Sequence, residues 1–126
     1  MSEPKVSIII PCYNAEKWIE KCLLSALHQN YGNLEVVFVD NESTDGSMKI
    51  VKDIKKAYKN LIIEQAKNIY PRCWDEPRSK GFEVATGQYF FTLASDDMYE
   101  ADYVSNVMKY IMSAPDKIKA FQSSVR

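Results

Sequence analysis

Two short stretches, residues 6–10 and 34–39, are apolar at almost every position and rich in β-branched side chains, with Glu35 the one interruption of the second. Runs of that length and composition read as strands buried on both faces. Such strands need helices over both sides of their sheet, which a parallel arrangement with helical crossovers supplies. The intervening sequence fits. Ile19, Cys22, Leu23, Ala26 and Leu27 recur at spacings of three and four and give one apolar helix face, with Asn14 as a candidate N-cap. After the second run comes the polar loop from Asp40 to Gly46. A helix is then expected from about Asp45 to Ala57, with Met48, Val51 and Ile54 facing inward.

The pattern continues along the chain. Residues 61–64 read as a third strand, 66–77 as a loop, and 79–86 as a short helix with Gly87 as its C-cap. Residues 88–93, dominated by Tyr89, Phe90 and Phe91, read as a strand. Residues 100–113 read as a helix with Tyr103, Val107, Met108 and Ile111 on one face, ended by Pro115, and 118–124 as a final strand. The expectation is one α/β domain over residues 1–126, a mostly parallel Rossmann-like sheet with helices on both faces. An uncovered strand at the end of the chain is a liability, which implies a domain truncated here and continued by more chain.

Composition narrows the function. The chain is 46% apolar, enough for a core. Sixteen Lys and Arg against 17 Asp and Glu give a net charge of -1, which argues against a dedicated nucleic-acid binder. Lysines 49, 52, 55, 56 and 59 read as the solvated face of one helix. Cys12, Cys22 and Cys73 form no CxxC, and His28 is the only histidine, so neither a disulfide framework nor zinc is expected. No signal peptide or membrane-length apolar run occurs, so a cytoplasmic location is expected, with membrane association only through parts not present. GxGxxG, GxxxxGK[ST] and GxSxG are all absent, against a dinucleotide fold, a P-loop and a hydrolase serine respectively.

In open parallel sheets ligands sit beyond the carboxyl ends of the strands. Polar and acidic residues follow three of the predicted strands there. Asp96 and Asp97 are adjacent carboxylates that repel until a cation neutralises them, and hard oxygen donors suit Mg2+ or Mn2+, which can also bind phosphate. The alternative is that one of them caps the next helix. Asp40, ending an apolar strand, can accept a hydrogen bond from a base or ribose, or be a turn aspartate. Tyr13 can stack on a base or pack. Ser43, Thr44 and Asp45 can cap the following helix. Arg78 and Lys80 can balance diphosphate charge or be a solvated pair, and Trp18 and Trp74 are open between packing and acceptor contact.

Four ordered stretches resemble the family 2 inverting glycosyltransferases, which have the GT-A fold. They are the opening strand with Pro11-Cys12-Tyr13-Asn14, the segment through Asp40-Asn41-Glu42-Ser43-Thr44-Asp45, the run from Arg78-Ser79-Lys80-Gly81 to Ala85-Thr86-Gly87-Gln88-Tyr89, and Leu93-Ala94-Ser95-Asp96-Asp97. The resemblance implies a nucleotide-sugar donor, often a UDP-sugar, a Mg2+ or Mn2+ ion, and a saccharide or other hydroxyl acceptor. By position it implies Pro11, Tyr13 and Asp40 around base and ribose, Arg78 near the donor, and Asp96 with Asp97 at the metal. Acceptor attack would be a single inverting displacement. The catalytic base is expected beyond residue 126, in the remainder of the transferase domain. Ala94 stands where the family has the first aspartate of D-x-D, and Glu42 where it has glycine. Both departures, with the short length, also suit a non-catalytic structural or interaction module on the same fold.

Overall fold

β1 (Val6–Cys12) and β2 (Leu34–Asp40) are buried along their whole length in the computed structural model, which describes residues 3–68 and 75–113. Around them lie α1 (Ile19–Leu27), α2 (Ser47–Lys55), β3 (Leu61–Gln65), α3 (Asp75–Val84), β4 (Tyr89–Thr92) and α4 (Tyr103–Ser113). The strands form one sheet in the order β3-β2-β1-β4, every pair parallel. β1 and β2 are therefore central.

Alternation along the central strands builds two cores. Val6, Ile8, Ile10 and Cys12, with Leu34, Val36 and Phe38, pack against the apolar faces of α1 and α4 and against Val51 of α2. Ile9, Val37 and Val39 point the other way, with Val84 and Ala85 at the end of α3 packed on them. Each wholly buried Leu or Ile contributes roughly 1.5–3 kcal/mol, so the two-faced cover expected from the sequence is what stabilises the sheet.

Several boundaries differ from the sequence reading, each for a local reason. β1 continues through Pro11 to Cys12. The Ile9 carbonyl accepts from Leu93 and the Cys12 carbonyl from Asn41, so odd-numbered β1 residues face β4. β4 stops pairing at Ile9↔Thr92, and Pro11 turns its missing N–H to an edge that, among the described residues, has no partner strand left. α3 starts at Asp75, not 79. Pro77 sits in its first turn, where an N–H has no intrahelical acceptor to lose. α2 is shorter than expected because the Lys56, Ala57 and Tyr58 amides bond to carbonyls three residues back, a tightened last turn. α4 starts at Tyr103, not 100.

Gly87 is not a helix C-cap. No glycine has positive φ, and Gly87 donates its N–H to Ser7 Oγ at 2.9 Å. A Cβ there would lie 2.8 Å from the Ser7 nitrogen, so glycine is needed for close approach to β1. The expected strand at 118–124 lies outside the described residues. Among those described, no helix is long and apolar enough to cross a membrane.

Candidate functional site

Cys12 and Asp40 are register partners at the carboxyl ends of β1 and β2. The loops that follow these strands are sewn together. Asn14 does not cap α1. Its backbone is left-handed, φ 49°, a conformation asparagine tolerates, and its Oδ1 accepts the Thr44 and Asp45 amides at 2.7 and 3.2 Å. The Asn14 amide donates to Ser43 Oγ at 2.9 Å, that of Ala15 to Ser47 Oγ at 3.0 Å, and that of Glu16 to Asp45 Oδ2 at 3.2 Å. Asp45 Oδ1 in turn accepts the Ser47 amide and hydroxyl at 3.0 and 2.6 Å and so starts α2. Burial pushes the Asp45 carboxyl up, but the hydrogen bonds from Ser47 and Glu16 prevail and hold it below its ordinary value.

This double loop frames Asp40, which is 1% exposed. Its Oδ2 accepts the Ser43 amide at 3.0 Å. Its Oδ1 is buried and has no hydrogen-bond partner. A buried acceptor left unmade is costly, and such a group marks where a donor from a ligand would be favoured. Pro11 is buried in β1 level with Val39, and Tyr13 projects from the loop, 40% exposed. Burial, then the charge of Asp40, raises the Cys12 thiol to about 11 against hydrogen bonds from Ser47 and Ser43, so it is protonated at neutral pH and no nucleophile.

Beyond β4, Leu93 and Ser95 are buried, Ala94 and Asp96 are exposed, and Asp97 is half-buried. The Asp97 amide closes a turn onto the Ala94 carbonyl at 3.0 Å. The first turn of α4 is capped from the turn after α1, by Gln29 Oε1 on the Val104 amide at 2.9 Å. Because β1 lies between β2 and β4, Asp40 and the aspartate pair flank its carboxyl end from either side.

Among the described residues no three His, Cys, Asp or Glu side chains gather as a metal cage. Two carboxylates with open solvent beside them nonetheless fit a Mg2+ or Mn2+ ion, which characteristically takes one or two carboxylates and completes its shell with substrate phosphates and water. Ala94 adds no carboxylate to that set. Arg78 is exposed in the first turn of α3. That helix ends where Thr86 and Gly87 meet Glu35 and Ser7 near the strand starts, so its first turn points toward the strand ends that carry the aspartates.

Sequence reasoning missed the support beneath these residues: the loop-bridging role of Asn14, and Cys22 and Gln29 under the loop after β4. No local signal marks Gln29, which lies in the turn after α1 and bonds to Val104 far along the chain.

The model of Glycosyl transferase family 2 matches residues 7–122. Glycosyltransferase GlyA of Streptococcus pneumoniae is 33% identical over 110 residues, covering 87% of this chain and 15% of that protein. S. aureus TarS, solved in complex with UDP, superposes with a TM-score of 0.73 at 28% identity, over 86% of this chain and 32% of that one. Mannosyltransferase PcManGT from Pyrobaculum calidifontis, solved with GDP-Man and Mn2+, gives 0.76 at 27% identity, over 88% and 33%. The chain spans between 15% and 44% of the length of the curated relatives it matches. The parallel sheet with helices on both faces is the Rossmann-like GT-A arrangement these structures share. With a family model running over almost its whole length and that fold beneath it, the chain belongs to glycosyl transferase family 2.

Proposed function

We propose that this chain is the donor-binding part of an inverting glycosyltransferase that uses a nucleotide-sugar, in the first instance a UDP-sugar, and a divalent cation. The observation that carries the reading is Asp40 Oδ1, buried at the strand ends with its hydrogen-bonding capacity unused. An N–H of a base or a ribose hydroxyl satisfies it. Pro11 and Tyr13 then border the base and ribose, Tyr13 offering an exposed ring for stacking. Asp96 and Asp97 hold Mg2+ or Mn2+, and Arg78 supplies charge toward the diphosphate. When bound, the cation offsets the charge that develops on the leaving diphosphate.

The relatives support the same reading: TarS has been solved with UDP and the Pyrobaculum enzyme with GDP-Man and Mn2+. The acceptor, a saccharide or another alcohol, and the base that takes its proton belong to the portion of the longer relatives that this chain does not span. Transfer is a single displacement at the anomeric carbon, with inversion.

Calorimetry of the chain with UDP, with and without Mn2+, tests the reading. Cation-dependent binding that Asp96→Ala abolishes is the expected result. No binding of UDP or GDP at millimolar concentration in either condition overturns it.

A further inference from the structure

α1 and the turn that follows it reach the loop after β4 at several points. Cys22 and Ser25 lie one turn apart in α1, and Gln29 follows two residues past its end. The Cys22 thiol donates to the Ala94 carbonyl at 3.3 Å, the same carbonyl that closes the Asp97 turn. Burial pushes that thiol far up, so it stays a donor throughout the physiological range. Ser25 Oγ donates to the Cys22 carbonyl at 2.7 Å and accepts the Tyr99 amide at 3.1 Å. Gln29 Nε2 donates to the Glu100 carbonyl at 2.6 Å and its Oε1 accepts the Val104 amide. The Asn30 amide adds a bond to the Ala101 carbonyl at 2.8 Å.

Asp96 and Asp97 thus lie on a segment held from below at residue 94 and again from 99 to 104. The segment has no regular structure of its own between β4 and α4. Gln29 is buried, so its bonds are not interchangeable with water. Side chains that fix ligating groups from behind commonly change metal affinity when removed, although they never touch the ion.

We propose that Cys22, Ser25 and Gln29 are positioning residues that set the Asp96–Asp97 turn for its cation. The proposal rests on the donor-site reading above, and it assigns to α1 and the turn after it a role in cation affinity beyond packing.

Ser25→Ala removes the partner of the Tyr99 amide with little change in volume. UDP affinity of the chain is measured with and without Mn2+, alongside amide exchange of Tyr99 and Val104 in the metal-free chain. For Ser25→Ala the expected result is a loss of Mn2+-dependent affinity on the order of tenfold. Metal-free UDP affinity should change by less than about twofold, Tyr99 should exchange faster, and Ser25→Thr, which keeps the hydroxyl, should restore wild-type values. Thr86→Ala, which weakens the fold near the strand starts, is the control. It should lower the melting temperature and leave the Mn2+ effect intact.

Wild-type Mn2+ dependence in Ser25→Ala overturns the proposal while leaving the donor site standing. So does an equal loss with and without Mn2+, or the same Mn2+ loss in Thr86→Ala. A wild-type chain whose UDP binding ignores Mn2+ removes the metal-site reading and the proposal with it.

Discussion

The Glu42 carboxylate accepts the Asn68 amide at 2.7 Å from a left-handed backbone, φ 60°. The loop after β3 is thereby tied to the loop that carries Asp40, whose carbonyl also accepts the Ala66 amide at 2.9 Å. A non-glycine residue in this region costs about 1–2 kcal/mol, which the hydrogen bond to a charged acceptor offsets. Glu42→Ala should lose the bond and keep the strain, whereas Glu42→Gly loses both. Glu42→Gly should therefore be more stable than Glu42→Ala by about 1 kcal/mol in urea denaturation, and Asn68 should exchange its amide faster in either. Equal stabilities would mean that the turn carries no strain.

Acid should weaken the fold through Glu35. Burial pushes its carboxyl up, but hydrogen bonds from Ser7 Oγ and the Thr86 amide at 2.6 Å each, another from Thr86 Oγ at 3.0 Å, and the nearby Lys5 prevail and hold it below its ordinary value of 4.5. The folded chain is harder to protonate there than the unfolded chain. The stability this confers is complete above the ordinary value and is lost as pH falls through the lower folded one. Glu35→Gln should flatten that part of the stability curve, with Asp45 supplying the acid sensitivity that remains. Denaturation between pH 7 and 3 checks it, and an unchanged slope in the variant counts against it.

Gly87→Ala should destabilise by about 1–3 kcal/mol. A Cβ would meet Ser7 Oγ at 2.5 Å, but also the Ser7 nitrogen at 2.8 Å and the Lys5 carbonyl at 3.0 Å. Ser7→Ala relieves only the first. The double variant should thus show little recovery in thermal melts, and full recovery would place the clash at the side chain alone.

Asp40→Asn separates binding from folding. It removes a buried charge whose Oδ1 is unpartnered in the free chain while leaving an oxygen for the Ser43 amide. The nucleotide-free melting temperature should hold or rise, while UDP affinity falls on the order of tenfold. A variant that melts lower and binds as well as wild type would make Asp40 a structural residue.

The central strands were legible because burial on both faces leaves a nearly continuous apolar run, as in 34–39, where only Glu35 breaks it. Asp40 was legible because it ends that run, and the aspartate pair because adjacent carboxylates have no packing value. The parts that could not be read depend on partners distant in sequence. Gly87 looked like a helix end because its contact with Ser7 spans the sheet. Asn14 looked like a cap because its true acceptor role is toward Thr44 and Asp45, and the first strand was read only to residue 10 because only the length of β4 shows which edge Pro11 faces. Gln29 gave no local sign that it caps α4.

The proposed nucleotide site is shared by carboxylates after β2 and β4, and paramagnetic broadening by Mn2+ in the presence of UDP measures that directly. Amide signals of Asp96 and Asp97 should vanish first and those of Tyr13 and Asp40 next, while Lys5, Thr86 and Gly87 near the strand starts stay sharp. Broadening that spares residues 96 and 97, or that reaches Thr86 as readily as Asp96, would contradict it.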